Sequence, residues 1–221
     1  MATKMCFIVD EKNIFLEEII SFEYVKGLAF SQKQKNVLSF HKSIKELYPD
    51  KKIMEISTKS FDEIGVRCSA FNLKLNGYYF ESVFQSSKVF EGNVRYDYLK
   101  YRLPKEAKQF INDTEHGDLK YFEYNNQIFP LEPKSIFYDY LYIQALIAMN
   151  IKHDDELLNS DIFTDIEFNE KKQYNCQARA MCIYVSLIRQ NLLEEAMKDL
   201  ESFNRIVYTN YGYRQLAMKL E

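Results

Sequence analysis

One segment, SIFYDYLYIQALIAMN at residues 135–150, is apolar on nearly every side if it forms a helix. Such a helix offers no polar face to water, so we expect it at the centre of a domain with other elements packed around it. The chain has 221 residues, which is long enough for one well-buried domain and short for two. No stretch rich in Pro, Gly and Ser divides the sequence, and we predict a single domain over residues 1–221.

Apolar residues recur at helical spacing in several other segments. Ser31 is the predicted N-cap of a helix that Pro49 stops, and Asn175 is the predicted N-cap of a helix near the end of the chain. Pro104 opens a short helix at the position where proline is favoured. This helix is predicted over residues 104–113, and the remaining predicted helices cover residues 80–90 and 193–208.

The β-structure is predicted to be minor. Residues 52–60, KIMEISTKS, alternate polar and apolar side chains as a short strand does, and residues 119–133 indicate a small hairpin around Asn125–Asn126. Asn76–Gly77 is a turn signal, and residues 161–175 are predicted to be extended chain or loop. The predicted fold class is therefore mostly α with minor β, a helical domain with a few short strands.

Charge and cysteine usage narrow the classes of function. A net charge of −3 argues against a general nucleic-acid coat, because such proteins are usually basic, although 29 Lys and Arg leave room for a local basic patch. The N-terminus lacks the apolar core of a signal peptide, and the longest apolar stretch is about half a membrane span. The four cysteines form no CxxC pair and no zinc-ligand spacing with the histidines, so we expect free thiols, no metal and a cytoplasmic location.

The aromatic segment at residues 71–92, FNLKLNGYYFESVFQSSKVFEG, carries Glu81, Gln85 and Lys88 at regular intervals. On a helix over residues 80–90 these three side chains would fall within about 60° of one another, beside an apolar face. Glu81 and Lys88 would lie about 10 Å apart along the axis, roughly the size of a bound sugar or base. The alternative is a solvated face with a loose ion pair.

Two charged residues interrupt apolar helices elsewhere. Asp139 lies within the central helix, where a buried carboxylate needs a partner if it is to stay ionised. Arg179 could pair with Asp139 or Asp165 as a structural bridge, or it could hold a phosphate with both arms of its guanidinium group. Several buried polar groups along one chain favour a common site.

Residues 68–91, CSAFNLKLNGYYFESVFQSSKVFE, resemble the signature of the NADAR (YbiA-like) superfamily, which is roughly L-S-N-F, a short hairpin and T-x-E-H-x-F-Q-x-x-K-F. The matching residues are Ser69, Phe71, Glu81, Phe84, Gln85 and Lys88. Three later segments, PKEAK, DYLYIQAL and NCQARA, resemble family segments in the same order. The family signature thus covers residues 65–189.

The details resemble one branch in particular, the NADAR antitoxins associated with DarT1-type toxins. The segments GLAFSQKQKNV, MEISTKS, SAFNL, FQSSKVFE and FTDIEFNEKKQYNCQARA carry this resemblance. It extends over nearly the whole chain, with residues 1–64 as a branch-specific N-terminal segment and residues 190–221 as a C-terminal helix. Tyr140 replaces the superfamily's Trp, and the glycine-free FTDIEFN replaces its W-G-x-G loop, so the expected substrate rests on the antitoxin branch.

The resemblance implies a single-domain YbiA-like helical fold and an N-glycosidase that hydrolytically removes ADP-ribose from guanine in DNA. It implies an antitoxin to a DarT1-type DNA ADP-ribosyltransferase, in a toxin–antitoxin pair of the kind used in phage defence. The implied partners are ADP-ribosylated DNA and the toxin, with no cofactor and no membrane. Three alternatives stay open: a protein that only sequesters its toxin, a reader that binds ADP-ribosyl DNA, and an N-glycosidase for a ribosylated intermediate of riboflavin biosynthesis.

Hydrolysis of an N-glycosidic bond needs a carboxylate near the positively charged sugar of the transition state, and an acid or base for the leaving group or the water. We assign the carboxylate to Glu81, with Asp165 as the second candidate. Lys88 either acts as a cation, holding the ribose or supplying a proton, or attacks the sugar as a neutral amine to form an imine.

The diphosphate of ADP-ribose needs hydrogen-bond donors. The candidates are Arg179, Lys59 and the start of the predicted helix, at Ser31, Gln32, Lys33 and Lys35. For the helix start, the alternative is an ordinary capped helix on the surface. Tyr78 or Tyr79 could stack a base. The other predicted ligand residues are Ser69, Phe71, Gln85, Asp139 and Asn175.

Overall fold

The apolar segment predicted to be central forms helix α5, and its side chains at Leu141, Tyr142 and Ile143 are completely buried. The computed structural model describes residues 1–151 and 154–209. Within them the helices are α1 (Phe30–Leu47), α2 (Glu63–Arg67), α3 (Phe80–Ser86), α4 (Pro104–Asp113), α5 (Ile136–Ala148), α6 (Asp155–Leu158), α7 (Gln177–Arg189), α8 (Leu193–Ala196) and α9 (Leu200–Phe203). Helix α7 is the second buried helix and packs against α5.

The strands form three separate sheets. They are β1 (Ala2–Asp10), β2 (Ile14–Phe22), β3 (Ile53–Glu55), β4 (Lys74–Leu75), β5 (Tyr78–Tyr79), β6 (Lys88–Phe90), β7 (Val94–Arg95), β8 (Leu119–Tyr124), β9 (Gln127–Phe129) and β10 (Ile162–Thr164). The first sheet has the order β2-β1-β10-β3, in which only the β10–β3 pair is parallel. The second is the β4–β5 hairpin, and the third has the antiparallel order β7-β6-β8-β9.

The prediction of a mostly α fold with minor β is wrong. The structure is 45% helical and 20% strand, with sheets of four, two and four strands, and is therefore mixed α/β. The long N-terminal hairpin of β1 and β2 was not predicted at all, and most of the other strands are only two or three residues long. Strands that short carry too few residues to show an alternating pattern, and pairing with distant segments stabilises them.

Several predicted boundaries also change. The helix predicted over residues 80–90 ends at Ser86, and Lys88–Phe90 pairs with β8 instead, because sheet hydrogen bonds compete with helix propensity there. Neither Ser31 nor Asn175 caps a helix, since α1 follows Ala29 and α7 follows Cys176. The single helix predicted at residues 193–208 divides into α8, α9 and a π-helical turn, while residues 210–221 of the predicted C-terminal helix lie outside the described residues.

Other local predictions are confirmed. Pro104 is at the first turn of α4, and Asn125–Asn126 forms the turn between β8 and β9. Asn76 and Gly77 both have positive φ, which is the conformation of a tight two-residue hairpin, and they join β4 to β5. No helix among the described residues is long and apolar enough to cross a membrane.

We expect Phe80→Ala to destabilise the fold by about 3–5 kcal/mol, because this completely buried ring packs edge-on against two aromatic rings of α5 and its removal leaves a cavity. The matched control is Phe61→Ala, whose ring is 55% exposed and whose loss should change stability by at most about 0.5 kcal/mol. Urea unfolding followed by circular dichroism measures both. Equal losses in the two variants would contradict the packing described for α3.

Candidate functional site

A cavity of about 510 Å³ lies beside α3 and collects many of the predicted site residues. The predicted residues that line it are Ser69, Phe71, Glu81, Gln85, Lys88, Asp165 and Asn175. They come from two stretches that are far apart in the sequence, residues 69–88 and residues 165–175. Its volume is in the range of small-molecule binding sites.

Glu81 lies in the first turn of α3, where the helix dipole favours an acidic side chain. It is 4% exposed. The side-chain amide of Gln85, one turn later, donates to Glu81 Oε1 over 2.9 Å, and Lys108 Nζ from α4 lies 3.6 Å from the same oxygen. The carboxylate is thus held in place by an amide and a cation at the wall of the cavity.

Lys88 reaches the same cavity from strand β6 rather than from the predicted helical stripe. Its Nζ lies 5.4 Å from the centroid of the Phe84 ring. Burial lowers the pKa of Lys88 to about 8, although the nearby Glu81 carboxylate acts in the opposite direction. Near pH 8 a substantial fraction of this amine is therefore neutral and able to act as a nucleophile.

Asp165 follows β10 and is buried at the wall of the cavity. Burial, together with the charge of Glu55, raises the pKa of Asp165 to about 7. Its Oδ1 accepts a hydrogen bond of 3.0 Å from the backbone N–H of Glu167. Around neutral pH this carboxyl group is able to hold or release a proton, which is the property required of a general acid.

Glu55 is a buried acid that our sequence reasoning did not assign to the site. It accepts hydrogen bonds from the Ser57 hydroxyl at 2.6 Å, the Thr164 hydroxyl at 2.6 Å and the backbone N–H of Ile166 at 2.8 Å. The parallel pairing of β3 with β10 places Glu55 opposite Thr164, one residue before Asp165. The only available signal was a charged residue within the alternating strand pattern of residues 52–60.

One buried acceptor at the site has no partner among the described residues. It is Gln85 Oε1, and Gln85 lines the cavity. Leaving such a buried atom unpaired costs about 1–3 kcal/mol. Lys108 and Tyr138 also line the cavity and were not predicted, although Lys108 belongs to the PKEAK segment.

Arg179 and Asp139 are predicted ligand residues that are not among the described residues lining the cavity. They form a bidentate pair, with Arg179 Nε and Nη2 each 3.1 Å from a carboxylate oxygen of Asp139. The hydroxyl of Tyr208 donates to the same carboxylate, and Arg179 Nη1 donates to the carbonyl of Tyr174 at 3.0 Å. This geometry matches the structural-bridge alternative, and it holds the loop that carries Tyr174 at the cavity.

The start of α1 adjoins the cavity without lining it. Lys33 Nζ is 3.3 Å from a carboxylate oxygen of Glu167, and Lys59 Nζ donates to the hydroxyl of Thr58 at 2.9 Å. Glu167 and Thr58 both line the cavity. The predicted ligand residues that are absent from the described lining are Ser31, Gln32, Lys33, Lys35, Lys59, Tyr79, Asp139 and Arg179. Within residues 1–151 and 154–209, no cluster of three or more His, Cys, Asp or Glu could hold a metal ion.

Comparison with known proteins yields one family. A family model described as the DarT1-associated NADAR antitoxin matches residues 2–216. The match spans the N-terminal hairpin as well as the cavity and α7. No curated protein matches the chain.

We expect Arg179→Met to destabilise the fold by about 3–5 kcal/mol, because it leaves the Asp139 carboxylate buried without its cation. The control is Arg205→Met, which breaks an exposed ion pair with Glu195 and should cost at most about 1 kcal/mol. Urea unfolding compares the two. If Arg179→Met keeps full stability but weakens ADP-ribose binding, the arginine is a ligand residue instead.

Proposed function

The chain belongs to the DarT1-associated NADAR antitoxins, and from that premise we propose that it is an N-glycosidase that removes ADP-ribose from guanine bases in DNA. The observation that carries this proposal is the presence of Glu81, Lys88 and Asp165 in one cavity. Contact with a toxin would not by itself require two carboxyl groups and a buried amine around a space of this size. Hydrolysis of a glycosidic bond does require a carboxylate and an acid or base placed around the bond that breaks.

Glu81 supplies the negative charge in the proposed reaction. As the bond to guanine breaks, positive charge develops on the ribose ring, and a fixed carboxylate stabilises it most effectively in a site that excludes water. Gln85 and Lys108 keep the carboxylate in position. A pre-positioned charge of this kind needs no reorganisation when the reaction occurs.

Asp165 protonates the leaving group, and Lys88 attacks the sugar. The neutral Lys88 amine forms a bond to the anomeric carbon as the bond to the guanine nitrogen breaks, and that nitrogen takes the proton of Asp165. The substituted amine returns a proton to Asp165, and the ribose ring opens to an imine. One water molecule then hydrolyses the imine, which releases ADP-ribose and restores the Lys88 amine. The pKa values near 8 for Lys88 and near 7 for Asp165 support these roles.

The test of the activity follows the mass of a guanine-ADP-ribosylated oligonucleotide incubated with the protein. We expect the oligonucleotide to lose the mass of one ADP-ribosyl group, and we expect Glu81→Gln and Lys88→Ala to reduce the rate at least about 100-fold, as is typical for loss of an essential acid–base or nucleophilic group. Both variants should keep the circular dichroism spectrum of the wild type. Binding without mass loss would indicate a reader of ADP-ribosyl DNA. Neither binding nor mass loss, with the toxin still neutralised, would indicate sequestration.

The imine predicts a covalent product that can be trapped. Borohydride added during turnover should leave a sugar adduct on Lys88. Its yield should rise from pH 6 to a maximum between pH 7 and pH 8, because the Lys88 amine, with a pKa of about 8, must lose its proton while Asp165, with a pKa of about 7, must keep one. Peptide mass mapping locates the adduct. Lys88→Arg keeps the positive charge but forms no imine and should give no adduct, whereas the exposed control Lys42→Arg should give the wild-type yield. An unmodified protein mass despite turnover would exclude the imine and leave Lys88 as a cation that holds the ribose.

A further inference from the structure

Residues 95–108, RYDYLKYRLPKEAK, are basic although the chain as a whole is acidic. The segment contains Arg95, Lys100, Arg102, Lys105 and Lys108 against Asp97 and Glu106, five cations and two anions, while the whole chain has a net charge of −3. A local excess of positive charge in an acidic protein attracts a polyanion to one place rather than to the whole surface.

Exposed tyrosines lie among these cations. Tyr101 is 65% exposed, and its ring meets that of Tyr78 from β5 edge-on at 5.4 Å between centroids. Lys100 Nζ lies 5.0 Å from the centroid of Tyr101 and 6.0 Å from that of Tyr78. Exposed aromatic faces beside lysines are the combination that binds unpaired bases and their phosphates. We call the surface formed by Tyr78, Lys100, Tyr101, Arg102 and Lys105 the tyrosine–lysine surface.

The tyrosine–lysine surface is continuous with the candidate active site. The hydroxyl of Ser82 in α3 donates to the carbonyl of Arg102 at 2.8 Å, so this segment is attached to the helix that carries Glu81. Lys105 and Lys108 are neighbours on α4, about 4.5 Å apart along its axis. Lys108 Nζ reaches both Glu81 at 3.6 Å and the centroid of the Phe71 ring at 5.5 Å. The cations therefore extend from the protein surface to the wall of the cavity.

A second cavity adjoins the same surface. It also has a volume of about 510 Å³, and Tyr78, Lys100, Ser87 and Tyr124 are among the residues that line it. Helix α3 separates the two cavities, since Val83 lines the second and Phe84 lines the first. The tyrosine–lysine surface therefore borders a second cavity beside α3.

We propose that the tyrosine–lysine surface binds the single-stranded DNA that flanks the modified guanine, with Tyr78 and Tyr101 against bases and Lys100, Arg102 and Lys105 against phosphates. This inference rests on the proposed function for its account of the modified base, but binding of the strand can be measured separately. Single-stranded DNA fits better than duplex because bases in a duplex are stacked on one another and do not present their faces to tyrosine. A protein partner fits less well, because the cations extend into the cavity that is proposed to hold the base.

The test compares the double variant Lys100→Gln/Tyr101→Ala with the control Tyr24→Ala/Lys26→Gln, an exposed tyrosine and lysine in the segment before α1. Fluorescence anisotropy with an unmodified single-stranded oligonucleotide should show binding about tenfold weaker for the first variant, as expected for one lost stacking contact and one lost cation. The slope of log K against log salt should become shallower by about 0.7 for the lost phosphate contact. The control should match the wild type in both.

Turnover distinguishes this surface from the catalytic site. The double variant should lower kcat/KM about tenfold on the ADP-ribosylated oligonucleotide and leave the rate on free ADP-ribosylated guanosine unchanged. If the wild type turned over neither substrate, the proposed glycosidase activity would be contradicted. The anisotropy comparison would still show whether the tyrosine–lysine surface binds DNA. Failure of the wild type to bind the oligonucleotide would overturn the proposal, as would equal affinity of the two variants. The proposal would also be overturned if the Lys100→Gln/Tyr101→Ala variant lost toxin binding but kept DNA binding, because the surface would then be the contact site of the toxin.

Discussion

The packing of α3 against α5 is the interaction on which both cavities depend. Phe80 and Phe84 contact Tyr138 with ring centroids 5.1 Å and 5.2 Å apart, and both rings of α3 are buried. The helix is held by these apolar contacts, which leaves its polar residues available for other roles. Glu81 and Gln85 face one cavity, and the chain that leaves the helix brings Lys88 to the same place one strand later.

Burial shifts the pKa values of Asp165 and Lys88, the two groups that exchange protons in the proposed reaction, in opposite directions. Burial raises the pKa of Asp165, further assisted by the buried Glu55, and lowers that of Lys88, so both groups change charge near neutral pH. A site in which an acid and an amine are both close to titration at neutral pH is suited to proton transfer. The same burial places Arg179 and Asp139 in a structural pair, because a buried carboxylate is stabilised by a cation at hydrogen-bonding distance.

The sequence predicted helices with a long local pattern, but it missed the nine-residue strands β1 and β2 as well as most of the short strands. Helix α5, which has thirteen residues, was predicted because a helix that is apolar on nearly every side must be buried in the interior. Helix α4 was predicted because proline is favoured at the first position of a helix. The mixed α/β class was missed partly because the hairpin of β1 and β2 was not recognised, and partly because β3 to β7, β9 and β10 each contain two or three residues. Strands that short pair with partners that local periodicity does not reveal. The helix predicted over residues 80–90 is too long for a similar reason, because Lys88–Phe90 pairs with the distant strand β8 instead of continuing the helix.

Taken alone, the sequence determined the buried helix, the turns at Asn76–Gly77 and Asn125–Asn126, and the presence of Glu81, Gln85 and Lys88 within one short segment. These features follow from interactions between residues close in the chain, which the order of residues records directly. The tertiary structure alone decided that Asp165 joins them, that Glu55 lies behind Asp165, and that Arg179 turns to Asp139. The bond between Glu55 and Thr164 joins residues 109 positions apart, and only the packing of distant segments brings such groups into contact.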